Sequence, residues 1–138
     1  MFFKKNKKED EDKNFVKIAS LLIHAAKIDE NFSKTEEKII TEALLKLGAK
    51  NESLESIIKA GKLMEENANQ ILDFTREVKN MDENKKIQII ETLWQIIYSN
   101  KEADIYETNL MRRLAGLLYV DSKIMGNIKE EIKNENLK

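Results

Sequence analysis

The chain has no proline and only four glycines in 138 residues. Tight hairpins and sheet corners depend on those two residues, so this sequence has little with which to build them. Leu, Ile, Ala, Lys and Glu dominate instead, and these side chains lose the least freedom in a helix. The expected fold class is therefore all-α: a compact bundle of about seven helices, forming a single domain over residues 14–138. Residues 1–13 are expected to be a charged flexible tail. They run from a basic stretch, Lys4 to Lys8, into the acidic block Glu9-Asp10-Glu11-Asp12, and such runs bury little apolar surface.

Apolar spacing sets the helices. The first should follow Asn14 and end near Asp29-Glu30-Asn31. Its apolar positions, from Phe15 through Leu21, Leu22 and Ile23 to Ile28, cover more than one face, so it should lie at the centre of the fold. Ser33-Lys34-Thr35-Glu36 reads as a capping box opening a second helix, with Gly48 just past its end. A third helix should start between Asn51 and Ser53, with Leu54, Ile57, Ile58, Leu63 and Met64 inward, and break near Asn67 to Asn69. A fourth carries Ile71, Leu72, Phe74, Val78 and Met81. Asp82 is suited to cap a fifth, which is again apolar on several sides from Ile87 to Ile97. A sixth opens at Asp104-Ile105-Tyr106-Glu107, and a seventh at Asp121 or Ser122.

Moving the chain along itself by 71 residues places Ile18 on Ile89, Leu22 on Leu93, Ile40 on Met111 and Leu47 on Leu118. The polar turn moves with them: Asp29 falls on Asn100, Ser33 on Asp104 and Glu36 on Glu107. Each copy is an acid or amide, then three residues, then Ser or Asp, then two residues, then Glu. The pattern predicts an internal pseudo-twofold repeat of a helix–acidic turn–helix unit.

Two meanings fit this constellation. Ser33 with Glu36, and Asp104 with Glu107, stand where capping groups stand, each cap contributing about 1 kcal/mol. Asp29 is harder to place that way, because the negative pole of a helix C-terminus disfavours a carboxylate by up to ~1 kcal/mol. Something positive should be close: Lys27, Lys34, or a cation held between two helices. A hard cation such as Ca²⁺ or Mg²⁺ takes several oxygen ligands. Asp29, Ser33 and Glu36 could supply three, and Asn100, Asp104 and Glu107 another three.

At these residues the sequence resembles the TerB-like family, the tellurite-resistance protein B group of bacterial helical domains. The hallmark is a duplicated Ala-Asp-Gly turn followed by a helix-opening Glu. Here the first copy is Ile28-Asp29-Glu30-Asn31-Phe32-Ser33-Lys34-Thr35-Glu36, and the second is Ser99-Asn100-Lys101-Glu102-Ala103-Asp104-Ile105-Tyr106-Glu107. The likeness extends over roughly residues 14 to 132. It implies an all-α fold, acidic sites for divalent cations, a stress or tellurite-resistance setting, and protein partners that include membrane-associated ones. Two departures matter. The glycine after the acid is Glu30 in one copy and Lys101 in the other, and the second Asp is Asn100. A neutral Asn100 implies that the second site is the weaker.

Other chemistry is not signalled. Cysteine is absent, which removes disulfides, thiolate metal sites and cysteine nucleophiles. The 24 basic and 25 acidic residues leave a formal charge of −1, unlike the basic footprint that nucleic acid demands. No run approaches the ~20 apolar residues of a membrane span. The opening residues lack the apolar core and cleavage site of a signal peptide, so a cytoplasmic location is the simplest expectation. His24 is the only histidine. With no triad-like partners and no phosphate loop, it is expected to be structural, and an enzyme is not expected. Trp94 and Tyr98, at i, i+4, are expected to pack together.

Overall fold

The computed structural model describes residues 2–27, 33–67, 72–99 and 105–136, with backbone alone for 2–12, 72, 73, 77, 105–107 and 136. Among the described residues there are seven helices and no strand: α1 (Phe2–Ala26), α2 (Lys34–Lys46), α3 (Asn51–Asn67), α4 (Leu72–Lys79), α5 (Glu83–Tyr98), α6 (Ile105–Leu117) and α7 (Ser122–Asn136). The all-α bundle expected from the scarcity of turn residues is what forms. Two boundaries fall where expected, with Asp82 capping α5 through its carboxylate on the Lys85 N–H at 2.9 Å and α7 starting at Ser122; the break expected near Asn67 to Asn69 falls largely outside the described residues. One boundary differs. Helical backbone begins at Phe2, well before Asn14, because Lys and Glu are good helix formers and no Pro or Gly interrupts them.

The two helices expected at the centre are there. Ile18, Leu21, Leu22 and Ile23 of α1 and Ile89, Ile90, Leu93, Ile96 and Ile97 of α5 are all at most 1% exposed. Around this pair α1 packs on α2, α3 and α4, and α5 packs on α2 and α7. α1 and α3 approach closely at Gly61. A Cβ added at Gly61 would stand 3.0 Å from Ala19 Cβ and 3.4 Å from the Ser20 nitrogen. The missing side chain lets the two helices close, and the fully buried Ser20 hydroxyl sits at the seam, 2.8 Å from the Val16 carbonyl and 3.1 Å from the Gly61 carbonyl. Leu63 was expected inward but is 54% exposed. The inward stripe of α3 is Leu54, Ile57, Ile58 and Gly61, and Leu63 lies out of phase with it.

The chain reverses twice through the same hydrogen-bonded turn. After α2, the Gly48 N–H donates to the Leu45 carbonyl and the Ala49 N–H to the Leu44 carbonyl; after α6, Tyr119 donates to Gly116 and Val120 to Ala115. Both are Schellman closures, and every donor and acceptor in one maps on the other at the 71-residue shift read from the sequence (48 to 119, 44 to 115). The left-handed position holds glycine once (φ 112°) and tyrosine once (φ 56°).

Candidate functional site

The two acidic stretches of the sequence lie between α1 and α2 and between α5 and α6. In the first, Ser33 has extended backbone (φ −83°, ψ 164°) and precedes α2. Its hydroxyl accepts the Glu36 N–H at 3.1 Å, and Glu36 Oε1 accepts the Ser33 N–H at 2.9 Å. The expected capping box is therefore complete, two of the helix's unpaired N–H groups being satisfied reciprocally. Glu36 is only 2% exposed. A carboxylate can be buried there because the N–H groups and positive pole of α2 compensate its charge.

Asp29, Asn100 and Asp104 lie outside the described residues, and so does the side chain of Glu107. The structure thus brings Ser33 and Glu36 together and describes no arrangement for the other four.

At the end of α1 stands an acid that sequence reading missed. Glu65 of α3 accepts from Lys27 Nζ at 2.8 Å and lies 3.3 Å from His24 Nδ1. Lys27, one of the cations suggested for Asp29, is thus engaged by Glu65, whose hydrogen bond raises the ammonium pKa against the opposing effect of burial. His24 also rests on Phe74, ring centroids 6.0 Å apart. These contacts link α1 to α3 and α4. Only a weak signal could have suggested the cluster: His24 and Lys27 share a face of α1 at i, i+3, but Glu65 lies far along the chain. Among the described residues no group of three or more His, Cys, Asp or Glu is placed to hold a metal ion.

Among the described residues, seven helices and no strand, with Schellman closures after α2 and α6, define a small all-α module. The family model of the tellurite resistance protein TerB matches residues 15–130. The chain belongs to the TerB family. No curated protein and no solved structure gives a significant match. No helix among the described residues is long and apolar enough to cross a membrane.

Proposed function

We propose that this chain is a non-catalytic TerB module that binds a divalent cation, a protein partner, or both through its acidic inter-helix turns, in a tellurite-resistance-like stress response. The observation that carries the reading is Glu36: a carboxylate 2% exposed in the first turn of α2, seven residues after Asp29 in the sequence. Ca²⁺ or Mg²⁺ suits such oxygens. The first turn should bind more tightly than the second, because Asn100 lacks the charge of Asp29. A cytoplasmic setting fits this role.

A second reading also has direct support. The reciprocal bonds between Ser33 and Glu36 account for both side chains as caps, and a module whose turns only cap helices would be a structural or protein-interaction domain. Amide shifts during titration with Mg²⁺, Ca²⁺, Mn²⁺ and Zn²⁺ separate the two. The cation reading expects shifts confined to residues 28–37 and lost in Asp29→Asn. A flat response at millimolar metal leaves the capping reading.

A further inference from the structure

A cleft of about 260 Å³ opens between the C-terminal half of α4 and the end of α6. Thr75, Arg76 and Lys79 line it from α4, and Gly116, Leu117 and Tyr119 from α6 and the turn after it. Among the described residues no carboxylate lines it. Every polar side chain on its walls can donate a hydrogen bond, and two of them are cationic.

Three observations set this cleft apart from an ordinary solvated surface. The first is Tyr119. Its backbone is left-handed (φ 56°) where the matching turn after α2 has glycine, yet its ring is 69% exposed. A bulky side chain is costly in that conformation, and this ring gains no burial to offset the cost. Strain of this kind gathers at ligand sites. The ring is held by Lys79, whose Nζ lies 4.9 Å from its centroid.

The second is that the cations are not consumed as helix caps, the ordinary use of Lys and Arg at a helix C-terminus. The Arg76 carbonyl accepts from the Asn80 side chain, and the Val78 carbonyl from the Met81 N–H. At the end of α6 the Ala115 and Gly116 carbonyls accept the Val120 and Tyr119 N–H groups, and the Leu118 carbonyl accepts Lys86 Nζ. Neither Arg76 nor Lys79 has an ion pair among the described residues. The third is Thr75, which is 2% exposed and whose hydroxyl has no hydrogen-bond partner among the described residues. Opposite it, a Cβ added at Gly116 would meet nothing within 4 Å, so the α6 wall leaves room.

We propose that this cleft binds a small phosphate monoester that carries a flat ring. The phosphate lies between Arg76 and Lys79 and accepts from the Thr75 hydroxyl, and the ring lies against Tyr119 beside Gly116. Charge-assisted bonds to phosphate are strong, and a guanidinium matches its oxygens with parallel N–H groups. An aromatic wall already held in place adds affinity, because little ordering remains to be done on binding. The proposal does not rest on the cation reading of the acidic turns.

The test titrates phenyl phosphate into the full isotope-labelled chain, in EDTA and at an ionic strength fixed with NaCl, while amide shifts are followed. Saturable shifts of residues 75–79 and 116–119 are expected. Affinity should fall by about fivefold or more in Arg76→Gln and in Lys79→Gln. Tyr119→Gly should weaken phenyl phosphate by about threefold or more and leave inorganic phosphate unchanged. Circular dichroism checks the fold of each variant, and Arg76→Gln, at an exposed position, carries the test if another does not fold. No saturable shift at millimolar phenyl phosphate overturns the proposal. So do equal shifts from phenol, which has the ring without the charge, unchanged binding by both charge variants, or phenyl phosphate binding that ignores Tyr119→Gly. Binding to phosphatidate vesicles without binding to phenyl phosphate overturns it too, by placing the phosphate on a lipid.

Discussion

Gly48 and Tyr119 occupy the same position of the same turn, each donating its N–H to the carbonyl three residues back, one at φ 112° and the other at φ 56°. The substitutions tolerated at the two should differ. Ala cannot adopt the Gly48 backbone without strain, so Gly48→Ala is expected to destabilise by about 1–2 kcal/mol. Tyr119 already carries a left-handed cost of about 1–2 kcal/mol. Tyr119→Gly relieves it while losing a cation–π contact with Lys79, 4.9 Å from the ring centroid, worth about 0.5–1 kcal/mol. Urea unfolding should find Tyr119→Gly as stable as the native chain or more so.

The glycines of α3 and α7 form a second contrast. Gly61→Ala pushes a methyl against Ala19 Cβ and the α1 backbone, neither of which can turn aside. Overpacking of this kind costs about 1–3 kcal/mol and outweighs the ~1 kcal/mol gained in helix propensity. Gly126→Ala meets open space and should gain that ~1 kcal/mol. Opposite shifts of the thermal midpoint are expected.

The first turn was legible because its bonds are local. A capping box spans four residues, and Ser33 with Glu36 can be read directly from the sequence; so can Asp82 and Gly48. What could not be read joins residues distant in the chain. Nothing near His24 or Lys27 announces Glu65, and nothing near Gly61 announces Ala19. Lys86 is another case. A lysine on an amphipathic helix reads as surface, yet it is 7% exposed and its Nζ donates to the Leu118 carbonyl at 3.0 Å, closing the end of α6. The sequence pattern shows Trp94 as a packing residue beside Tyr98, and the rings do stack at 5.9 Å between centroids. That Trp94, Ala115 and Gly126, from three different helices, line one cleft follows from tertiary packing and not from local sequence.

Lys86→Met should therefore destabilise by about 1–3 kcal/mol, since it keeps most of the apolar stem and removes a charge-assisted bond to a buried carbonyl. Substitution of the neighbouring exposed Lys85 by Met is the control and should change stability by less than about 0.5 kcal/mol.

Glu91 of α5 has its pKa raised above the ordinary 4.5, first by burial and then by Glu131 and Glu135 of α7, against a smaller lowering by Lys46. A raised carboxyl pKa means that the folded state holds its proton more tightly than the unfolded chain. The resulting stabilisation is fully present below about pH 4.5 and is lost as the pH rises through the higher folded value. Glu91→Gln should thus unfold at higher urea than the native chain at neutral pH. The gap should close when both are measured below pH 4.5.

The capping bonds set a baseline for the first turn. Ser33→Ala should cost about 1 kcal/mol. Glu36→Ala should cost at least as much, because it leaves the Ser33 N–H without its 2.9 Å acceptor. Urea midpoints in EDTA give both values free of any metal contribution.

Against that baseline stands the proposal that Asp29 helps to hold a divalent cation in the folded state. The direct measurement is urea unfolding of the native chain and of Asp29→Asn, each in EDTA and in millimolar Ca²⁺ or Mg²⁺. A ligand bound only by the folded chain adds about 2.7 kcal/mol at a hundredfold excess over its Kd. The account predicts a higher midpoint with metal for the native chain and none for Asp29→Asn. Equal midpoints with and without metal in the native chain would contradict it.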